Sequence, residues 1–214
     1  MNRIFIICSL FSILFSSNCE ANLGNIQQQE VCNKSDQSKD DWIRKIEEYF
    51  AKNGTLQSEI EQIDHKGNVS HGKVWLKRKS GYMKIQYSEP FEKVILIKDG
   101  RVTQYDPELN EKTETSIHSS PLSFLLDKFL DLKKNISVHS VAKQGDEIFI
   151  KLIKKNDDSD GAIMLIFSKN DFKLKGWTIL SSNKDIFCNF VHVQLISADT
   201  KSEISDSVFT LSSK

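Results

Sequence analysis

Glycine and proline are scarce, at 9 and 3 of 214 residues. No Pro-, Gly- or Ser-rich linker divides the chain, so it reads as one folded unit. There is likewise no glycine-rich loop to cradle a phosphate. Net charge is absent too: 29 Lys and Arg balance 29 Asp and Glu, interleaved throughout. No long-range field therefore draws the chain to nucleic acid or to an anionic membrane surface.

The motifs of catalysis are missing as well. No Gly-x-Ser-x-Gly elbow, His-Glu-x-x-His helix or Cys-x-x-Cys pair occurs. Five histidines (His65, His71, His118, His139 and His192) are scattered, and His65 with His71 across one turn lacks a third metal ligand. Asp157-Asp158-Ser159-Asp160-Gly161 has neither the spacing nor the closing Glu of a calcium loop, and reads as a solvated turn. With no nucleophile, base and orienter together, the expectation is a non-enzyme without metal or cofactor.

One long apolar run exists, Ile4–Phe15, preceded by Arg3 and followed by small or polar residues to Cys19-Glu20-Ala21. Residues 1–21 are expected to be a secretory signal peptide cleaved after Ala21. A lipid anchor on Cys19 is the rival, but Ser16-Ser17-Asn18 lacks the Leu and the small residue of such a site. Residues 22–39 read as a flexible lead-in and 40–214 as the folded domain. Cleavage leaves Cys32 and Cys188. An oxidising compartment permits a disulfide between them; one buried and one loose thiol fits equally.

The folded part opens with a helix from Asp40 to Phe50, punctuated by Gly54. Trp42, Ile43, Ile46, Tyr49 and Phe50 share an arc of roughly 120° on its wheel. The period then changes to two. Alternating runs at 56–64, 69–78, 82–87, 94–99, 102–106, 113–117, 136–143, 147–154, 163–168, 172–180 and 186–196 make eleven strands, joined by turn chemistry such as Lys66-Gly67-Asn68 and Asp99-Gly100. The fold class expected is mainly β (α+β), an antiparallel sheet curled into a full or incomplete barrel to limit its edges.

Between the sixth and seventh strands lies SSPLSFLLDKFLDL. Ser119 or Ser120 can cap a helix with Pro121 in its first turn, and Leu122, Leu125, Leu126, Phe129, Leu130 and Leu132 cover roughly 160° of an α-helical wheel. This helix either plugs one end of a packed barrel or covers a ligand cavity. Phe124 falls outside the arc, on the charged face, and is expected to be exposed as a contact point for a partner.

The string GKVWLKRKSGYMKIQYSEPFEKVILIKDGRVTQYDPELNEKTETSIHSSPLSFLL resembles the LolA family of periplasmic outer-membrane lipoprotein carriers, in its alphaproteobacterial form. The features that carry the resemblance are the Trp-Leu-Lys-Arg strand, the Lys-Ile-x-Tyr run before Pro90, the Asp-Gly turn with Tyr105-Asp106, and PLSFLL. Further along, LKGWTIL, VHVQLI and Phe209 match, so the likeness spans residues 42 to 210. It implies an incomplete barrel covered by helices around an apolar cavity, with the central helix as lid.

It also implies a function. Such a carrier takes acylated lipoproteins from an inner-membrane ABC transporter of the LolCDE type, shields their chains in the periplasm, and passes them to an outer-membrane acceptor of the LolB type or delivers them itself. The lid latch would be Arg78, or Lys79, because Arg78-Lys79 stands where the family has Arg-Pro. The acyl cavity would be lined by Trp75, Tyr82, Met83, Ile85, Tyr87, Ile95, Ile97, Leu122, Leu125, Leu126 and Phe129, with faces taken from alternation. The alternatives within the fold are an envelope-stress sensor and a membrane-anchored lipoprotein acceptor.

Overall fold

Eleven strands form a single antiparallel sheet in the order β6-β5-β4-β3-β2-β1-β11-β10-β9-β8-β7. A computed structural model describes residues 36–126, 132–155, 161–180 and 190–211. The expected signal peptide, Cys32, Cys188, the acidic turn 157–160 and Phe129 lie outside the described residues. The strands are β1 (Thr55–Asp64), β2 (Val69–Lys77), β3 (Tyr82–Glu89), β4 (Lys93–Lys98), β5 (Arg101–Asp106), β6 (Glu111–Ser116), β7 (Ile136–Gln144), β8 (Glu147–Lys154), β9 (Ala162–Ser168), β10 (Leu174–Leu180) and β11 (Phe190–Leu195). Each differs from its expected span by a few residues at most, because short alternating runs between Gly and Asn/Asp turns leave little freedom of assignment.

The topology is two runs of consecutive hairpins, β1–β6 and β7–β11, fused where β1 pairs with β11. The free edges, β6 and β7, are consecutive in sequence. The sheet is thus an open, incomplete barrel, and segment 117–135 links one free edge to the other. Every residue of β6 (EKTETS) is exposed. Its charges discourage pairing with another chain's edge.

Helix α1 runs Asp36–Lys52, starting four residues before the expected Asp40 because Gln37, Ser38 and Lys39 are compatible with a first helical turn. It buries Ile43, Ile46 and Phe50 against the sheet. Tyr49 meets Phe167 edge-on at 5.2 Å, and Phe167 stacks on Phe172 at 4.2 Å. Opposite this face, Arg44 pairs with Asp41 and Glu48 in solvent.

Both faces of the first sheet half are apolar. The inner face of β2–β4 presents Val74, Leu76, Met83, Ile85 and Ile97, all in the main core. The outer face presents Trp75, Tyr82 and Leu96, covered by Ile204, Val208, Phe209 and Leu211 of the C-terminal segment. Lys84 and Lys98 pin that segment by donating to the carbonyls of Thr210 and Phe209. Burial under it lowers the Lys84 ammonium pKa.

Among the described residues no helix is long and apolar enough to cross a membrane. On the outer side of β11, His192 is paired across the ladder with Thr178, whose hydroxyl lies 3.0 Å from Nδ1. Burial lowers the imidazole to about 4. A folded-state pKa below the unfolded value means the unfolded chain binds the proton first, so the contribution is complete above about pH 6.5 and lost as pH falls toward 4. Between pH 7 and pH 4.5 the wild type is expected to lose on the order of 2 kcal/mol more than His192→Gln. Urea unfolding of both proteins at the two pH values checks this; equal losses would show that the ring is not held neutral.

Candidate functional site

The inner face places its side chains in rows. Leu76, Met83, Ile97 and Val102 are successive cross-strand partners, as are Val74, Ile85 and Ile95. Parity carries the inner face through Gln62 and Ile60 on β1, Val191, Val193 and Leu195 on β11, and Trp177 and Ile179 on β10. A cavity of about 910 Å³ opens on this face, lined by Gln62, Val69, Ile85, Tyr87, Ile95, Leu122, Trp177, Ile179, Val191 and Val193 among others. That lies toward the top of the roughly 300–1,000 Å³ range of ligand sites. Its rim is formed by Asn68, Pro90, Glu92, Asp106 and Glu108, with Phe91 and Leu109 standing 68% and 66% exposed.

Of the residues expected in the cavity, Ile85, Tyr87, Ile95 and Leu122 line it. Met83, Ile97, Leu125 and Leu126 belong to the same apolar cluster but are wholly buried, packed deeper in the same core. Trp75 and Tyr82 are not cavity residues. They pair with Lys84 and Lys77 on the opposite face and sit under the C-terminal segment, Tyr82 against the Phe209 ring at 5.6 Å. Alternation cannot tell two apolar faces apart, and the outer one is covered by Phe209 and its C-terminal neighbours. The wall contributed by β10 and β11 escaped expectation although LKGWTIL and VHVQL alternate plainly; the signal was there without a register to orient it.

The central segment also departs from expectation. Pro121–Leu125 is a 3-10 turn, capped by the Ser120 hydroxyl accepting from the Leu122 N–H at 3.3 Å. Phe124 is completely buried. At about 120° per residue the α-helical wheel no longer applies, and Leu122, Ser123, Phe124, Leu125 and Leu126 are all enclosed. Phe124 is therefore a core residue and offers no surface to a partner.

Arg78 explains how that turn is held. It follows β2 in a short 3-10 turn, Arg78–Ser80, closed by Gly81 in the left-handed region at φ 72°. Its side chain is fully buried, and Nη1 donates to the Leu125 carbonyl at 3.0 Å and the Phe124 carbonyl at 3.4 Å. These are carbonyls that a short helix leaves without internal partners. The guanidinium also lies 3.9 Å from the centre of the Phe50 ring of α1. Lys79 is exposed. Of the two basic residues, only Arg78 reaches the segment between the edges.

The cavity wall has one polar pair. The Tyr87 hydroxyl donates to Gln62 Oε1 at 2.5 Å, and burial raises the phenol pKa. Gly72 makes this reach feasible: it pairs with both Ile60 and Tyr87 on the inner face and carries no side chain between them. A Cβ there would stand 2.3 Å from the Gln86 carbonyl oxygen and 2.9 Å from Tyr87 Cα.

An open half-barrel with an apolar cavity on its inner face, a wall of aliphatic side chains and one polar pair has the geometry to hold an apolar ligand. The chain matches the family of the outer membrane lipoprotein carrier protein LolA over residues 26–212, and it belongs to that family. The family is one of carriers. No curated protein matches the sequence. Similar solved structures include an uncharacterized conserved protein from Thermus thermophilus (10% identity, 82% of this chain and 94% of that one, TM-score 0.49). A LolA superfamily protein from Nitrosomonas europaea shares 10% identity over 81% of this chain and 98% of its own, with TM-score 0.47. The lipoprotein LppX of Mycobacterium tuberculosis shares 8% identity over 80% and 100%, with TM-score 0.39.

The Arg78 contacts carry a prediction. Arg78→Met keeps the stem over Phe50 and removes the donors, so the Ser123 and Leu126 amides are expected to exchange with solvent at least tenfold faster, about 1.4 kcal/mol of lost protection. Lys79→Met is expected to change nothing. Hydrogen exchange read by mass spectrometry over 120–126 decides it, and unchanged exchange in Arg78→Met would remove the latch geometry from consideration.

Proposed function

We propose that this protein is a periplasmic carrier that takes the acyl chains of lipoproteins released from the inner membrane and delivers them to the outer membrane. The observation that carries the reading is the apolar cavity continuous with a buried aliphatic cluster in a member of a carrier family. Each CH₂ moved out of water contributes about 0.8 kcal/mol, so acyl chains do not cross an aqueous space unshielded. The partners are acylated lipoproteins, an inner-membrane transporter that releases them, and an outer-membrane acceptor or the membrane itself.

In this reading residues 117–126, leading from the free edge of β6, are the moving part. Residues 121–126 fill the deep end of the inner face when no ligand is present, and an incoming chain replaces Leu125, Leu126 and their neighbours as the contents of the core. Arg78 is the latch: its hydrogen bonds favour the closed arrangement, and the energy of acyl burial works against them. Ile85, Ile95 and Leu122 line the cavity that is already open, and Met83 and Ile97 form the wall uncovered on opening.

The test is to incubate the purified protein with spheroplasts or inner-membrane vesicles holding labelled lipoprotein, with ATP, and to look for a one-to-one soluble complex. Release is expected with the wild type and with Lys112→Glu on the exposed edge. Ile95→Glu, which puts a carboxylate in the cavity wall, is expected to lower the yield at least tenfold. Absence of release by folded wild-type protein from vesicles with a competent transporter would end the carrier reading.

A further inference from the structure

The cavity wall is not uniformly greasy. One row of the inner face, Gln62 on β1, Val193 on β11 and Trp177 on β10, follows the ladder directly. Gln62 and Trp177 flank Val193 and stand about 10 Å apart, two strand spacings. All three line the cavity. The Trp177 indole is fully buried, and its N–H has no hydrogen-bond partner among the described residues. An unpaired buried donor costs about 1–3 kcal/mol. A chain that merely needed bulk here would lose nothing with phenylalanine.

Gln62 and Tyr87 point the same way. They bond each other, and this contact satisfies only part of what the pair offers. With Oε1 facing the phenol, two amide hydrogens are left over; with the carboxamide reversed, the phenol hydrogen is left over. Either way a donor remains at the cavity. The indole fixes the polarity of the ligand group, because it donates and never accepts.

The row also has a definite depth. Gln62 is two residues from Asp64 at the end of β1, and Asn68, Val69 and Ser70 across the turn line the same cavity near its rim. Beyond the row lie Ile60 and Ile85 and then the closed cluster of Met83, Ile97 and Leu125. A chain entering from the mouth would meet the donors last at its head, about 7 Å inside for each two residues of strand, with its methyl end among the aliphatic residues.

We infer that Gln62, Tyr87 and Trp177 form a carbonyl-reading belt just inside the mouth, which binds the ester or amide carbonyls at the heads of acyl chains, the Gln62–Tyr87 pair taking one and Trp177 another, and sets how far the chains enter. This rests on the proposal that the ligand is acylated. The belt selects acyl chains over alkyl chains of equal length, and gives the cavity a specificity that aliphatic packing alone does not provide.

Paired probes separate the belt from the cavity. Purified protein is titrated calorimetrically with dioctanoyl phosphatidylglycerol and with its dioctyl ether analogue, which differs by two carbonyl groups. The same comparison is made with a dioctanoylglyceryl-cysteine dipeptide and its ether form. The ester is expected to bind about fivefold more tightly than the ether, the effect of roughly one net hydrogen bond. Tyr87→Phe, Gln62→Leu and Trp177→Phe are each expected to reduce that ratio toward one, each variant's ester affinity being read against its own ether affinity.

A preference confined to the dipeptide assigns the belt to lipoprotein; one shared by the phospholipid extends it to membrane lipids. Equal binding of ester and ether by the wild type overturns the belt and leaves the carrier reading standing, as does a ratio unchanged in all three variants. Binding of neither probe overturns both together. Tyr87→Phe and Trp177→Phe retain an aromatic ring in the wall, so circular dichroism and unfolding midpoints identify any variant that fails to fold, and the remaining two decide.

Discussion

Arg78 ties together three parts of the chain that are remote in sequence: its side chain leaves the β2–β3 turn, lies over the Phe50 ring of α1, and donates to the carbonyls of Phe124 and Leu125. Burying that cation is costly, on the order of several kcal/mol before compensation. The arrangement stands because the charge meets carbonyl dipoles and an aromatic face together. Everything at the deep end of the inner face is organised around it. The 3-10 turn is held where its leucines fill the core, and α1 is held where Phe50 and Ile46 close the end of the sheet.

That interaction matters because of the sheet's topology. Two hairpin series fused at β1 and β11 leave β6 and β7 as open edges, and the connection between those edges is the one piece of chain that topology obliges to run from one to the other. The cavity on the inner face, walled mainly by strands, therefore also borders that connection, through Leu122. Packing keeps the rest of the barrel fixed, since the strands on either side are locked by ladder hydrogen bonds and, over β2–β4, by the C-terminal segment on the outer face. In the proposed carrier, opening falls to residues 117–126, which Arg78 tethers through the carbonyls of Phe124 and Leu125.

The cavity itself combines two kinds of wall. Aliphatic residues give a non-directional gain that grows with chain length and that any apolar ligand would share. The Gln62–Tyr87 pair and the Trp177 indole are directional, and directional groups are what convert a greasy hollow into a selective one. Gly72 lies between the tyrosine and β1, and the close approach of the β3 backbone to it leaves no room for a Cβ.

The strand pattern was legible in the sequence because a period of two between glycine, asparagine and aspartate turns has few other solutions, and the apolar arc of α1 was legible because 3.6-residue periodicity is strong at Trp42, Ile43, Ile46, Tyr49 and Phe50. The inward direction of Met83, Ile85, Tyr87, Ile95 and Ile97 followed from alternation once the strands were set. Trp75 and Tyr82 were misplaced because their strands are apolar on both faces, and the segment that covers the outer one lies more than a hundred residues away. Phe124 was misplaced because an α-helical wheel was applied to a turn with three residues per repeat. Which of Arg78 and Lys79 points inward, which row sets Gln62 and Trp177 on either side of Val193, and the 3-10 turn at Pro121–Leu125 were decided by tertiary structure alone. Each depends on strand register and long-range packing, and no local run of residues carries that information.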